Sequence, residues 1–176
     1  MKLQFFIKLL MVVVGLSLAQ TSFATIPRFI KLDNGFYRGG QPGTYNDYVR
    51  LKNLGIKTII NLRAAPEISA LEKSIAQNLG MNYINIPFST FDYPSSEKIA
   101  SVMKRVTNPN LRPVFLHCRH GKDRTGIVGI LFRVQVQNWP VQKAYDEALN
   151  LNLRWYLPNV PMLIYRETGV WPKAMK

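Results

Sequence analysis

Residues 113–126 read Pro113-Val114-Phe115-Leu116-His117-Cys118-Arg119-His120-Gly121-Lys122-Asp123-Arg124-Thr125-Gly126. An apolar strand, Pro113 to His117, runs into a polar turn, and the residues from Thr125 to Gln137 are then apolar around much of a helical circumference. A helix of that kind belongs in the middle of a domain. A loop entering its N-terminus presents several unpaired N–H groups, and the helix dipole adds positive potential, so the loop forms a cradle for a dianion. Cys118 falls at the base of that cradle, where the same N–H groups and Arg124 would hold its sulfur as a nucleophilic thiolate. Arg124 offers the planar fork that grips two phosphoryl oxygens at once. Thr125 can donate its hydroxyl to the sulfur when sulfur leaves. Gly121 permits backbone turns closed to other residues, and Gly126 is expected to let the helix start lie close to the strand. Arg119, His120, Gly121, Lys122 and Asp123 complete the expected phosphate-contacting loop. Asp123 has no role assignable from sequence; a second acid or base, or a partner for a basic neighbour, are both open.

Working outward, short β-like runs alternate with amphipathic helices. Thr44 with Asp47 makes a capping-box start, followed by Tyr48, Leu51 and Leu54 at helical spacing and a stop at Gly55. Lys57 to Leu62 predicts a buried strand. Ile68, Leu71, Ile75 and Leu79 recur every three or four residues up to Gly80, which predicts a helix laying that stripe on the sheet. Asn82 to Pro87 is the next strand, and Ser95 caps a helix carrying Ile99, Met103 and Val106. Val141, Ala144, Tyr145, Ala148 and Leu149 mark one more helix, and a Pro-punctuated helical tail follows. Strand, helix, strand, helix, strand, loop, helix predicts a single α/β domain: a central, mostly parallel sheet flanked by helices, with the loop between a central strand and a buried helix.

The chain has 176 residues, 23 Lys and Arg against 10 Asp and Glu, 47% hydrophobic residues and 19% charged ones. This composition fits one globular domain and neither a disordered tail nor a low-complexity chain. Lys2 and Lys8, the apolar run Leu9 to Ala19, and the small residues of Ser22-Phe23-Ala24 predict a signal peptide cleaved after Ala24. An 11-residue run is short of the roughly 20 that cross a bilayer, so no stable membrane insertion is expected after cleavage. Residues 25–176 would then form the exported domain, periplasmic or secreted, with a net charge of +11. In an oxidising compartment a lone Cys has no disulfide partner and asks for a chemical reason.

Other chemistries fit less well. One Cys and two His cannot close a four-ligand structural zinc site, and His117, Cys118 and His120 as ligands would be strained; no metal or other cofactor is expected. Gly121-Lys122 lacks the earlier Gly and the following Ser or Thr of a nucleotide-binding P-loop. Lys and Arg are scattered, with no run longer than Lys104-Arg105 in the folded part, which argues against a nucleic-acid partner. Sulfur transfer also uses a Cys loop on an α/β domain, and a silent phosphate-binding module would keep the cradle without reacting.

His117-Cys118, five residues, then Arg124-Thr125 resembles the signature of the cysteine-dependent protein tyrosine phosphatase superfamily. Phe36-Tyr37-Arg38-Gly39-Gly40-Gln41-Pro42, Leu54-Gly55-Ile56-Lys57 and Ile60-Asn61-Leu62-Arg63 are similar to the small bacterial dual-specificity-like phosphatases. The resemblance implies a phosphocysteine mechanism with a general acid on a mobile loop. Asp92, in Ser89-Thr90-Phe91-Asp92-Tyr93-Pro94, occupies the corresponding place, with Glu97 as its nearby acidic rival. It also implies a phosphorylated protein as substrate, phosphotyrosine or phosphoserine/threonine. Gly-Lys-Asp-Arg-Thr-Gly further resembles the loops of bacterial enzymes acting on phosphoinositides, so inositol phosphates and other polyphosphorylated small molecules are the alternative.

Overall fold

A computed structural model describes residues 26–91 and 93–173; the expected leader, residues 1–24, and the expected acid Asp92 lie outside the described residues. Five strands, β1 (Ile30–Asp33), β2 (Phe36–Gly39), β3 (Thr58–Asn61), β4 (Asn82–Asn85) and β5 (Val114–His117), form one sheet in the order β1-β2-β5-β3-β4. β1 and β2 are antiparallel, and the other three pairings are parallel. β5 is central, and its last residue, His117, pairs with Gly39 on one side and Asn61 on the other. The chain therefore leaves β5 at the carboxyl ends of three parallel strands, where open α/β sheets bind ligands.

Side chains alternate across the pleat. Ile60 and Leu116 enter one core, and Ile59 and Phe115 the other. The larger core is built on α4 (Asp123–Gln135), whose residues from Thr125 to Arg133 are all buried. Around it lie α3 (Ser96–Thr107), α5 (Val141–Asn150) and α6 (Asn159–Thr168). The smaller core is closed by α1 (Tyr45–Asn53) and α2 (Pro66–Asn78). No helix among the described residues is long and apolar enough to cross a membrane.

Local chemistry explains most boundaries. Thr44 Oγ1 accepts from the Asp47 N–H at 3.3 Å and Asp47 Oδ2 accepts from the Thr44 N–H at 3.0 Å, the reciprocal box expected at the start of α1. Ser95 Oγ accepts from the Lys98 N–H at the start of α3, and Ile99, Met103 and Val106 are buried as expected. Two features depart from the sequence reading. The β1–β2 hairpin is an addition to the predicted strands; its turn, Asp33-Asn34-Gly35, carries a tight-turn signature, with Asp33 Oδ1 accepting from the Gly35 N–H at 2.8 Å. The face of α2 departs in part: Ile75 and Leu79 of the expected stripe pack, partly buried, on the smaller core, but Leu71 is 63% exposed, and Ser69, Glu72 and Ala76 are the buried positions. The apolar stripe yields at Leu71 because Glu72 finds three donors, on Tyr48, Asn61 and Tyr83, and a satisfied carboxylate can occupy a core position that an unpaired one cannot.

Candidate active site

The turn after β5 is braced from below by residues that precede α1. The Gln41 N–H donates to Arg119 O at 3.3 Å, Arg28 Nη1 to His120 O at 3.0 Å, and Arg38 Nη2 to Gly121 O at 2.6 Å and Lys122 O at 3.5 Å. Four consecutive carbonyls are tied down in this way. Because each peptide is planar and trans, the N–H groups of His120, Gly121, Lys122 and Asp123 are turned the opposite way. No side chain caps the N-terminus of α4, so its first N–H groups keep their capacity for an anion. Gly121 has φ of +70°, and a Cβ there would lie 2.5 Å from Gly40 N. The paired glycines Gly39-Gly40 and Gly121 thus fit each other backbone to backbone. Gly126 faces a different neighbour from the expected one: its Cβ would meet Leu153 Cδ1 at 3.0 Å, so its small size serves the loop after α5 and not the strand.

Above the braced loop lies a cleft of about 290 Å³. Cys118, Arg119, His120, Lys122, Asp123 and Arg124 line it, whereas Gly121 contributes its carbonyl to the underside. Cys118 is almost wholly buried and is the one free cysteine. Its Sγ lies 3.9 Å from Thr125 Oγ1, and Thr125 is fully buried. Arg124 Nη1 donates to Leu62 O at 2.9 Å and Phe88 O at 3.4 Å, which anchors the guanidinium in the wall between the ends of β3 and β4. Asp92 falls on a residue outside the described ones, but Ser89, Thr90 and Phe91 just before it belong to the cleft wall.

Several residues gain a part here that the sequence does not assign to them. Arg154 donates to both Asp123 oxygens, backbone N–H to Oδ1 at 3.0 Å and Nε and Nη2 to Oδ2 at 2.9 and 2.7 Å. Asp123 is thereby the partner of a basic neighbour 31 residues away, and that neighbour also lines the cleft. The carboxylate holds the Arg154 guanidinium above its ordinary value. Arg63 joins the wall and hydrogen-bonds Gln41 Oε1. His120 is shifted below the usual imidazole range, first by desolvation and then by Arg119, Lys122, Arg28 and Arg154. Arg38 is 1% exposed, and burial pulls it down to about 10 although the Cys118 sulfur favours its charge. A buried guanidinium under the cradle reinforces the field that an anion meets above it.

On the other side of the β5 end sits a closed polar cluster. Glu72 accepts from Tyr48 Oη at 3.1 Å, Tyr83 Oη at 3.0 Å and Asn61 Nδ2 at 2.7 Å, and His117 Nε2 lies 3.5 Å away. Burial alone would push Glu72 up; the contacts from His117, Tyr83 and Tyr48 outweigh it and hold the carboxyl below its ordinary value. Burial, with Glu72 beside it, pushes the Tyr83 phenol up to about 12. Among the described residues no group of three or more His, Cys, Asp or Glu side chains is arranged to hold a metal ion.

The family described as "DSP-PTPase phosphatase fused to NAD+ Kinase" matches residues 25–153. The inositol diphosphatase DSP3 of Arabidopsis thaliana is 30% identical over 133 residues, 72% of this chain and 64% of that protein. The dual specificity protein phosphatase TpbA of Pseudomonas aeruginosa (strain UCBPP-PA14) is 25% identical over 112 residues, 63% of this chain and 48% of that protein. The chain thus spans between about half and two thirds of the length of these two curated relatives. In fold, the crystal structure of P. aeruginosa TpbA superposes with a TM-score of 0.68 at 19% identity, over 82% of this chain and 91% of that one. The catalytic core of the PP-IP phosphatase SIW14 from S. cerevisiae gives 0.65 at 22% identity, over 84% and 88%. A Cys, an Arg and a Thr gathered at the carboxyl end of a central parallel strand, in a domain matched by that family over most of its length, make this chain a member of the cysteine-dependent, dual-specificity-like phosphatases.

Proposed function

We propose that the protein hydrolyses phosphoric monoesters through a phosphocysteine, with phosphotyrosine and phosphoserine/threonine side chains as its first substrates. The observation that carries this reading is the Cys118 sulfur on the floor of a cationic cleft, 3.9 Å from the Thr125 hydroxyl, beside a loop whose carbonyls from Arg119 to Lys122 are tied away from the cleft. The loop N–H groups and Arg124 bind the phosphoryl oxygens and follow their charge into the in-line transition state. Sulfur forms a bond to phosphorus as the ester bond breaks, and Asp92 gives the leaving oxygen its proton. Water then displaces sulfur, its proton passing to Asp92. The cleft residues Ser89, Thr90 and Phe91 support the assignment of their neighbour Asp92. A structure of TpbA in complex with phosphotyrosine supports the aryl ester as substrate.

A second reading has its own support. Arg63, Lys122 and Arg154 surround the same cleft, and DSP3 bears the name inositol diphosphatase. Polyphosphorylated inositols would use those extra cations. Turnover of p-nitrophenyl phosphate by residues 25–176, blocked by vanadate and lost in Cys118→Ser, tests the chemistry; turnover that survives Cys118→Ser overturns it. Phosphopeptides and inositol phosphates assayed side by side choose the substrate class. Export is part of the same proposal, on the strength of the charged start, the apolar run and the small residues before Thr25. A periplasmic product that begins at Thr25 is expected, and a cytoplasmic product that retains residue 1 would contradict it.

A further inference from the structure

Resting on the phosphocysteine reading, we propose that Arg38 is a positioning residue for the second chemical step, acting by fixing which way the Thr125 hydroxyl points. Arg38 lies on β2, buried beneath the loop, and its Nη2 donates to Thr125 Oγ1 at 3.0 Å as well as to Gly121 O at 2.6 Å. A guanidinium has only donors. The Thr125 oxygen therefore accepts from Arg38, and its own hydrogen is left free for the one acceptor recorded beside it, Cys118 Sγ at 3.9 Å. Without Arg38 the hydroxyl is free to rotate and accept from other groups.

The fold spends specific features on this arrangement. Gly129 on α4 faces Arg38, and a Cβ there would lie 3.3 Å from Nη1 and 3.5 Å from Cδ, so a side chain at that position would crowd the guanidinium. Arg38 Nε is buried with no hydrogen-bond partner. A buried cation with an unsatisfied N–H is costly to hold, and the groups it does reach are those of the loop and of Thr125.

The step at stake is the breakdown of the intermediate. Water attacks phosphorus, the S–P bond breaks, its electron pair returns to sulfur, and the water proton passes to the general base. Sulfur gains negative charge only as it leaves, so a hydrogen bond from Thr125 that strengthens then lowers this barrier in particular. In the first step sulfur loses charge to phosphorus, and the same hydrogen bond gives no comparable help.

Rapid-mixing kinetics with p-nitrophenyl phosphate separate the two steps. Arg38→Met and Thr125→Ala should each give a burst of about one equivalent of nitrophenolate, with kcat lowered about 10- to 100-fold and kcat/KM changed far less. A variant that merely loosens the loop would lose kcat/KM and show no burst, and that result would overturn the proposal. Should Arg38→Met fail to fold, Arg38→Lys gives the decision. It should slow intermediate breakdown with Thr125 present and have no further effect on it in the Thr125→Ala background; equal slowing in both backgrounds would overturn the proposal. If the wild type instead forms no phosphocysteine, or Cys118→Ser still turns over, the underlying reading falls and the role of Arg38 with it.

Discussion

The two sides of the β5 end are built on opposite principles. Behind it, Glu72 takes hydrogen bonds from Tyr48, Tyr83 and Asn61 inside the smaller core, and each donor is itself buried or half-buried. In front of it, Arg63, Arg119, Lys122, Arg124 and Arg154 line a cleft whose one acid among the described residues, Asp123, is already engaged by Arg154. At the back the Glu72 carboxylate is saturated by its donors, and the two ring nitrogens of His117 beside it are buried with no hydrogen-bond partner among the described residues. Among the same residues the front holds more cations than acids, a capacity that an outside anion can take up. Polar groups that saturate one another specify structure, and polar groups that do not are available for binding and chemistry.

If that contrast holds, changes in front should alter rate and changes behind should alter stability. Arg124→Lys keeps the charge and loses the fork, and kcat for p-nitrophenyl phosphate should fall about 10²- to 10³-fold with the melting temperature little moved. A steady-state comparison with a thermal melt checks both halves. Asp92→Asn should lose about 10²-fold on phenyl phosphate and clearly less on p-nitrophenyl phosphate, whose leaving group needs less protonation. Equal losses on the two esters would move the acid to Glu97 or elsewhere.

Behind the strand, Glu72→Gln presents an amide donor to groups that already donate, and unfolding stability should drop by roughly 1–3 kcal/mol while kcat per folded molecule stays within about threefold. The pH dependence has a fixed sign. Folded Glu72 holds its proton less readily than its ordinary value of 4.5, so its contribution is complete above that value and is lost as pH falls through the lower folded one. Denaturant titrations between pH 3 and 7 should therefore show part of the acid sensitivity of the wild type missing in the variant. The smallest effect is expected for Arg154→Met. It should raise KM for a multiply phosphorylated substrate about 3- to 10-fold relative to p-nitrophenyl phosphate and leave kcat on the simple ester nearly unchanged.

The same contrast explains what could be read from the residues alone. The cradle was legible because Cys118, Arg124 and Thr125 lie within eight consecutive positions, and a strand-loop-helix fixes their geometry locally. Capping at Thr44 and Ser95 was legible for the same reason. Arg38, Arg154 and Glu72 were not, because each acts through partners far along the chain: 83 residues separate Arg38 from Gly121, and 31 separate Arg154 from Asp123. Periodicity placed Ile75 and Leu79 on the core side of α2 but misplaced Leu71, because a stripe of Ile and Leu is informative only while no acid on the helix has a better reason to be inside. Once Tyr48, Asn61 and Tyr83 converge on Glu72, Leu71 is turned to solvent. The hairpin of β1 and β2 was passed over although Asn34-Gly35 marks its turn, since two four-residue strands give too short a run for alternation to stand out.

The central claim is that sulfur at position 118 carries the phosphoryl group. Acid quenching within the first turnover on p-nitrophenyl phosphate, followed by mass spectrometry of the digest, tests it directly. One phosphoryl group is predicted on the peptide that contains Cys118 and none on that peptide in Cys118→Ser. Phosphate on any other residue, or turnover with no labelled peptide at any quench time, would contradict it.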